Sequence, residues 1–239
     1  MLVQTKAIVL HTFKYNDASL IAHCYTEKIG KQSFLLKGIL NSKKGGIRKA
    51  YFQPLMPLEI LFNHKNQGGL NFIKEVKVLR PYNSLYTDIK KNAIVLFLSE
   101  IIYKSLKEEE TNPLLFEFLE TAFQWLDTHE EIANFHLVFL IKLTQFLGFY
   151  PYQENPEFAF FDLESGCFTD HLPTGPHLEG EIAQLFKILL GMNFADSLSL
   201  KINQQKRRVL LEALVNYFKL HLLGFSTPKS LEVLNEVFD

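Results

Sequence analysis

The chain has 239 residues, of which 47% are hydrophobic and 21% charged, and this composition is typical of a folded globular protein. It excludes a disordered or collagen-like protein. The net charge of −1 is divided unevenly: residues 1–80 contain 13 lysines and arginines against 4 acidic residues, a balance of +9, whereas the remaining residues balance to −10. We therefore expect a segment that binds polyanions, joined to one that does not.

The sequence carries few signals for a compartment. Residues 1–10 lack the basic flank and apolar run of a secretory signal, and no uncharged apolar run is long enough to span a membrane. Cys24 and Cys167 are too few for a disulfide framework and indicate reduced thiols. These features predict a cytoplasmic protein with no membrane partner.

Residues 1–80 follow the period of two that is typical of β-strands, interrupted by turn residues. Pro54 and Pro57 remove hydrogen-bond donors from the fourth strand, which favours an edge or bulged position for it. Five short antiparallel strands in this length are typical of a small closed barrel such as an OB-fold. The predicted strands are Leu2–Phe13, Ser19–Thr26, Lys31–Leu40, Tyr51–Phe62 and Leu70–Leu79.

After Arg80-Pro81, apolar residues recur at helical spacing. Asn112-Pro113 predicts one helix start, and Thr128 with Glu131 fits a capping box that predicts another. Phe158–Phe168 predicts a β-hairpin. Helices are expected at Ser84–Lys107, from Asn112 to about Leu126, from Thr128 to a stop at Gly148, at about Glu179–Leu190, at Asn203–Leu223 and from about Ser230.

These patterns together predict an α+β protein. We expect residues 1–80 to form a five-stranded OB-fold barrel that binds polyanions such as nucleic acid, and residues 81–239 to form a helical domain that binds partners. The predicted hairpin, about residues 158–168, is a small insertion in the helical domain. His136 and His221 fall within helical patterns and are expected to be core or boundary residues.

A basic loop that contains glycine follows the third predicted strand. The loop, Asn41–Lys49, contains the cations Lys43, Lys44, Arg48 and Lys49, and Lys31 and Lys37 lie in the strand before it. Cations placed near phosphates release counterions, which gives affinity for nucleic acid without sequence preference. Tyr51 follows the loop and fits either base stacking or the barrel core. A single lysine is better explained by solvation, but the excess of positive charge over residues 1–80 favours a polyanion site.

The stretch Lys37–Leu61, KGILNSKKGGIRKAYFQPLMPLEIL, resembles the signature of the RecO family of bacterial recombination mediators. Leu143–Pro151, LTQFLGFYP, and His221–Leu234, HLLGFSTPKSLEVL, are similar to two later motifs of that family. The three segments occur in the family's order and cover nearly the whole chain. The resemblance implies an N-terminal OB-fold and a helical C-terminal domain.

The resemblance also implies a function in DNA repair and recombination that is not enzymatic. Its implied activities are binding of single- and double-stranded DNA, annealing of complementary strands, and help in loading recombinase onto strands covered by single-strand binding protein. Its implied protein partners are RecR and the acidic C-terminal tail of the single-strand binding protein.

Many members of this family hold zinc with four cysteines in the segment that corresponds to Pro151–Pro173. Here only Cys167 remains, with His171 and His177 nearby. Because a structural zinc site needs four nitrogen or sulfur ligands, we expect no metal and no cofactor. We expect aromatic packing of Phe158, Phe160, Phe161 and Phe168 to hold the hairpin instead.

Lys206, Arg207 and Arg208 lie at the start of the longest C-terminal helix, where positive charge opposes the helix dipole. They fit docking of an acidic partner tail, or pairing with Glu212 or nearby acids, and the sequence does not separate the two.

Two rival functions stay open at this level. One is a scaffold whose basic domain binds an acidic protein instead of DNA. The other is a metal-dependent nuclease that uses Glu59, Glu75 and Lys77, although the αβ context of such enzymes is missing.

Overall fold

A computed structural model describes residues 1–41, 47–65, 69–107, 110–155 and 157–238. It divides into two compact units, residues 1–127 and 128–239. Two helices that follow the barrel therefore belong to the same unit as the barrel, whereas the functional boundary expected at residue 80 stays a prediction. No helix within the described ranges is both long enough and apolar enough to cross a membrane.

Five antiparallel strands form the sheet of the first unit, in the order β3-β2-β1-β4-β5. They are β1 (Leu2–Lys14), β2 (Leu20–Thr26), β3 (Gly30–Leu36), β4 (Pro57–Asn63) and β5 (Phe72–Val78). A parallel bridge between Phe34 and Asn71 joins β3 to β5. Here the amide of Leu35 donates to the Asn71 carbonyl at 2.9 Å, and the Asn71 amide donates to the Ser33 carbonyl at 2.8 Å. The sheet thus closes into the five-stranded barrel that the strand count predicts.

The prediction of an edge position for the fourth strand is wrong, because β4 lies between β1 and β5. Pro57 is the first residue of β4, where a missing amide donor is tolerated. The bulge lies in β5: Leu61 pairs with Glu75 and Phe62 with Ile73. The strand also begins later than predicted, since Lys49–Phe52 forms a short 3₁₀ helix.

The barrel interior is apolar and contains aromatic pairs. Phe34 and Phe62 meet edge to face with ring centres 4.9 Å apart. Cys24 is fully buried there, and burial raises the pKa of its thiol to about 12, so the thiol is unreactive at neutral pH. Two helices complete this unit, α1 (Ile89–Ser105) and α2 (Pro113–Thr128).

Each of the two helices in this unit begins after a residue whose side chain accepts hydrogen bonds from the first helical amides. The Asp88 carboxylate accepts from the amides of Lys90 and Lys91, both at 2.9 Å. Asn112 accepts from the Leu115 amide at 2.9 Å, as its position before Pro113 predicts. The predicted start of α1 near Ser84 is wrong because Ser84 instead donates to Asp127, at the end of α2.

The second unit has four helices and a small sheet among its described residues. The helices are α3 (Phe135–Leu147), α4 (Gly180–Leu190), α5 (Gln204–His221) and α6 (Ser230–Phe238). The predicted start at Thr128 is wrong, since α2 extends through Thr128 and α3 begins after Asn134. The predicted hairpin is present as β6 (Phe160–Asp162) and β7 (Cys167–Thr169), and β8 (His177–Glu179) adds a third strand beside β6.

Candidate nucleic-acid interface

An exposed aromatic ring on the barrel contacts two cations. Phe72, the first residue of β5, is 39% exposed. The ammonium of Lys37 lies 4.8 Å from its ring centre, and that of Lys65 lies 5.1 Å away. An exposed ring with two ammonium groups close to it offers a surface for stacking a base, and the cations can meet the flanking phosphates.

A cavity of about 340 Å³ adjoins this ring. It lies at the end of β3 and the start of β5, with Lys37 at its margin. The residues that line it are Leu35, Leu36, Lys37, Gly38, Ile39, Ile47, Phe72 and Ile73. An apolar floor with a cationic margin suits a nucleotide, whose base is flat and whose phosphate is charged.

Three of the predicted cations lie on this part of the barrel or just after it. Lys37, Arg48 and Lys49 are exposed, as is Lys65. Within the ranges that the structure covers, none of these four side chains forms an ion pair. Their charge is therefore available to a ligand. Lys43 and Lys44 lie outside the described residues.

Lys31 is placed differently from the other predicted cations. Its ammonium donates to the carbonyl oxygens of Tyr103 at 2.9 Å and Leu106 at 3.0 Å, at the end of α1. It also lies 4.3 Å from the ring centre of Tyr103. The side chain of Lys31 is thus engaged by the helix rather than directed to solvent.

The aromatic residues after the basic loop pack inward. Phe52 is 2% exposed and belongs to the barrel core, and Tyr51 is half-buried against that core. The stacking ring offered by the structure is instead Phe72, which the sequence analysis missed, together with Lys65. Their signal was an aromatic residue near the start of the predicted fifth strand, preceded by a basic residue in the connecting loop.

The three cations of α5 each have a partner within the second unit. Lys206 pairs with the carboxylate of Glu181, and Arg208 donates to Glu212 at 3.1 Å. Arg207 is half-buried, donates to the Ile202 carbonyl at 2.8 Å, and burial lowers its pKa. The cleft beside Arg207 and Arg208 has a volume of about 20 Å³, which is room for about one water molecule.

One cysteine and two histidines remain in or near the segment where many family members hold zinc. They do not form a metal site. Cys167 donates to the Ser165 carbonyl at 3.5 Å, and His177 contacts the Gly175 carbonyl at 2.9 Å. His171 contacts Asp170 at 3.1 Å. Across the described ranges, no three His, Cys, Asp or Glu side chains are grouped so that they could hold a metal ion. The donor set therefore does not fit zinc.

Aromatic packing connects the small sheet to the helices. The ring of Phe161 lies 5.0 Å from Phe168 across the hairpin and 4.6 Å from Phe186 of α4. His221 of α5 contacts the Leu163 carbonyl at 2.9 Å. Phe161 and Phe168 thus pack as expected, whereas Phe158 and Phe160 are only half-buried.

The carboxylates considered for a nuclease lie on the outside of the barrel. Glu59 pairs across strands with Lys77 on one side and with Lys6 on the other. Glu75 is exposed in the next outward position, opposite Leu61. Alternating charges on neighbouring strands account for this arrangement without a metal.

Comparison with known proteins places the chain in one family over nearly its whole length. Residues 1–82 match the family model described as "Recombination protein O N terminal", and residues 86–232 match "Recombination protein O C terminal". The chain is 45% identical to the DNA repair protein RecO of Flavobacterium psychrophilum and 43% identical to that of Christiangramia forsetii, each over 238 residues. It is 32% identical to that of Porphyromonas gingivalis over 252 residues, and all three alignments cover both chains completely. The chain therefore belongs to the RecO family of DNA repair proteins.

Proposed function

We propose that this chain is a DNA repair and recombination mediator that binds single- and double-stranded DNA through its barrel. The observation that carries the proposal is the exposed Phe72 ring, which contacts the ammonium groups of Lys37 and Lys65 and lies beside a cavity. Exposed Arg48 and Lys49 extend the positive charge along the chain. This combination suits a phosphate backbone with accessible bases.

Strand annealing follows from the same chemistry. Two complementary strands repel each other, and cations that neutralise their phosphates lower this repulsion. A protein that holds strands by their backbone leaves base edges free to pair. The membership in the RecO family supports this activity, and with it a role beside RecR in loading recombinase onto strands covered by single-strand binding protein, in the bacterial cytoplasm.

The test of DNA binding is charge reversal on the barrel. Lys37→Glu combined with Lys65→Glu should weaken binding to an oligonucleotide and reduce the slope of log affinity against log salt by about 2. The same is expected for Lys43→Glu with Lys44→Glu. Fluorescence anisotropy over a salt series measures both quantities, and a strand-annealing assay should show a parallel loss.

A matched control separates local contacts from net charge. Lys187→Glu with Lys219→Glu makes the same change of net charge on exposed residues of α4 and α5 and should leave affinity and slope unchanged. If the barrel variants bind DNA as the wild type does, the barrel is not the DNA surface. A preference for an acidic protein over DNA, without annealing, would favour the scaffold function instead.

For the second unit we propose docking of the acidic tail of the single-strand binding protein at Lys206, Arg207 and Arg208. A partner carboxylate would replace Glu181 or Glu212, which now pair with Lys206 and Arg208. Because the adjoining cleft is small, the tail would lie over α5 rather than enter a groove. Lys206→Ala with Arg208→Ala should reduce peptide affinity several-fold by calorimetry, whereas Lys187→Ala should not. Equal affinity of all three proteins would remove this site.

A further inference from the structure

A row of outward side chains crosses four strands of the barrel. Phe13 of β1 pairs with Ile21 of β2, and Ile21 pairs with Leu35 of β3. The parallel bridge between Phe34 and Asn71 places Leu35 beside Phe72 of β5. Phe13, Ile21, Leu35 and Phe72, here called the aromatic row, are therefore neighbours in this order.

The two ends of the aromatic row are exposed rings and its middle is an apolar floor. Phe13 is 41% exposed and Phe72 is 39% exposed, whereas Ile21 is 6% exposed and Leu35 is half-buried. Three strand spacings separate the rings, a distance of about 14 Å. Two exposed rings that flank apolar side chains form a surface of the kind that binds a flat apolar ligand.

Phe13 is held in place by a stack of other rings. Its ring lies 5.6 Å from His23, at an interplanar angle of 26°, and 6.2 Å from His11, at 28°. Both histidine rings contact Tyr103 of α1, at 5.2 Å for His11 and 5.0 Å for His23. A ring fixed in this way binds a flat ligand with little further loss of entropy.

The helical part of the same unit contacts the barrel face next to the aromatic row, although His11 is still exposed there. The next outward pair, His11 and His23, lies against Tyr103. Beyond it, the Tyr25 hydroxyl contacts the Asn112 carbonyl at 3.3 Å. Phe13 and Phe72, the two ends of the aromatic row, are exposed and can be reached by a ligand.

We propose that the aromatic row stacks unpaired bases, one at Phe13 and one at Phe72, and so makes the barrel favour single-stranded over double-stranded DNA. This inference rests on the proposed DNA binding, and it adds that the preferred DNA is single-stranded. A base inside a duplex has both faces covered by its neighbours and cannot lie on a ring. About 14 Å corresponds to about four bases at the stacked spacing of 3.4 Å, and to fewer in an extended strand.

The experiment compares ring variants on three ligands: an oligothymidylate, the same strand with abasic units, and a duplex of equal length. Phe13→Ala and Phe72→Ala should each weaken oligothymidylate binding about 5- to 100-fold. Neither should change affinity for the abasic strand or the duplex, since those ligands offer no free base. Phe13→Trp and Phe72→Trp keep a stacking surface and should retain binding.

Tyr152→Ala is the control, because Tyr152 is an exposed ring of the second unit. If both alanine variants bind oligothymidylate as tightly as the wild type, the aromatic row does not stack bases. The same conclusion follows if the wild type binds abasic and intact strands equally well. If Lys37→Glu with Lys65→Glu still loses DNA affinity in that case, the proposed function stands without the row. If the wild type binds none of the three ligands, both proposals fail.

Discussion

The ammonium of Lys31 lies 4.3 Å from the ring centre of Tyr103 and donates to the carbonyl oxygen of the same residue at 2.9 Å. A second bond, of 3.0 Å, runs to the Leu106 carbonyl. The last carbonyls of a helix have no partner within the helix, and they carry the negative end of its dipole. Lys31 thus holds the end of α1 against β3, and its positive charge stabilises the folded barrel unit.

Replacing Lys31 by methionine keeps the length of the side chain and removes the charge. We expect Lys31→Met to lower the free energy of unfolding by about 1–2 kcal/mol, since two charge-assisted hydrogen bonds and a cation–π contact are lost. The salt dependence of DNA binding should not change. Urea unfolding and anisotropy measure the two effects, with Lys74→Met, an exposed lysine of β5, as the control. Loss of DNA affinity at full stability would instead make Lys31 a DNA contact, as the sequence suggests.

Gly30 and Gly38 both have positive φ, of 67° and 68°, but differ in their surroundings. A Cβ on Gly30 would lie 2.5 Å from the carbonyl oxygen of Glu110, whereas a Cβ on Gly38 would meet nothing within 4 Å. Gly38→Ala should therefore cost only the backbone strain, about 1 kcal/mol, and Gly30→Ala should cost clearly more because main-chain atoms must move. Thermal unfolding compares the two variants. Equal losses would show that the contact with Glu110 adds nothing.

The sequence predicted most of the fold because its signals are local. The period of two in the strands and the capping positions of Asn112 and Asn203 are readable from neighbouring residues. Thr128 does not begin a helix because α2 continues through it. Asn134 stands at the start of α3, but its side chain accepts no hydrogen bond from the α3 amides. That side chain instead donates to the carbonyls of Ser197 and Leu200, which are distant in the sequence.

Residues 51–56 show why the fourth strand was placed too early. Leu55 has a φ of 65°, which is rare for leucine, yet it is fully buried and its amide donates to the Val9 carbonyl. Nothing in the local sequence signals such a residue. The same holds for the site: charge excess located the basic barrel, but only the closure of β5 against β3 brings Phe72 next to Lys37.

The small sheet of the second unit should depend on Phe161 and not on metal. Phe161 is fully buried among Phe168, Phe186 and Tyr217. Phe161→Ala should lower the free energy of unfolding by about 3–5 kcal/mol through the cavity that it leaves. A chelator, or Cys167→Ser, should leave unfolding unchanged. A drop in melting temperature with a chelator that zinc restores would show that a metal stabilises this segment after all.

His136 should make the second unit sensitive to acid. It is buried in α3, and among the described atoms its Nδ1 has no hydrogen-bond partner. Burial, and secondarily the charge of Arg207, lower its pKa from 6.5 to about 3. The unfolded chain therefore binds a proton below about pH 6.5 that the folded chain does not take up until about pH 3. The contribution of neutral His136 to the free energy of unfolding is present in full above pH 6.5. Below that pH, the free energy of unfolding falls by about 1.4 kcal/mol for each pH unit.

The His136→Leu variant lacks this titrating group. As the pH falls from 7 to 5, its free energy of unfolding should rise by about 2 kcal/mol relative to that of the wild type. Urea unfolding at several pH values measures the difference. His171→Leu, which removes an exposed histidine of the same unit, should follow the wild-type curve. Parallel curves for the wild type and His136→Leu would mean that His136 takes up its proton in the folded protein, which would require a partner for the buried charge.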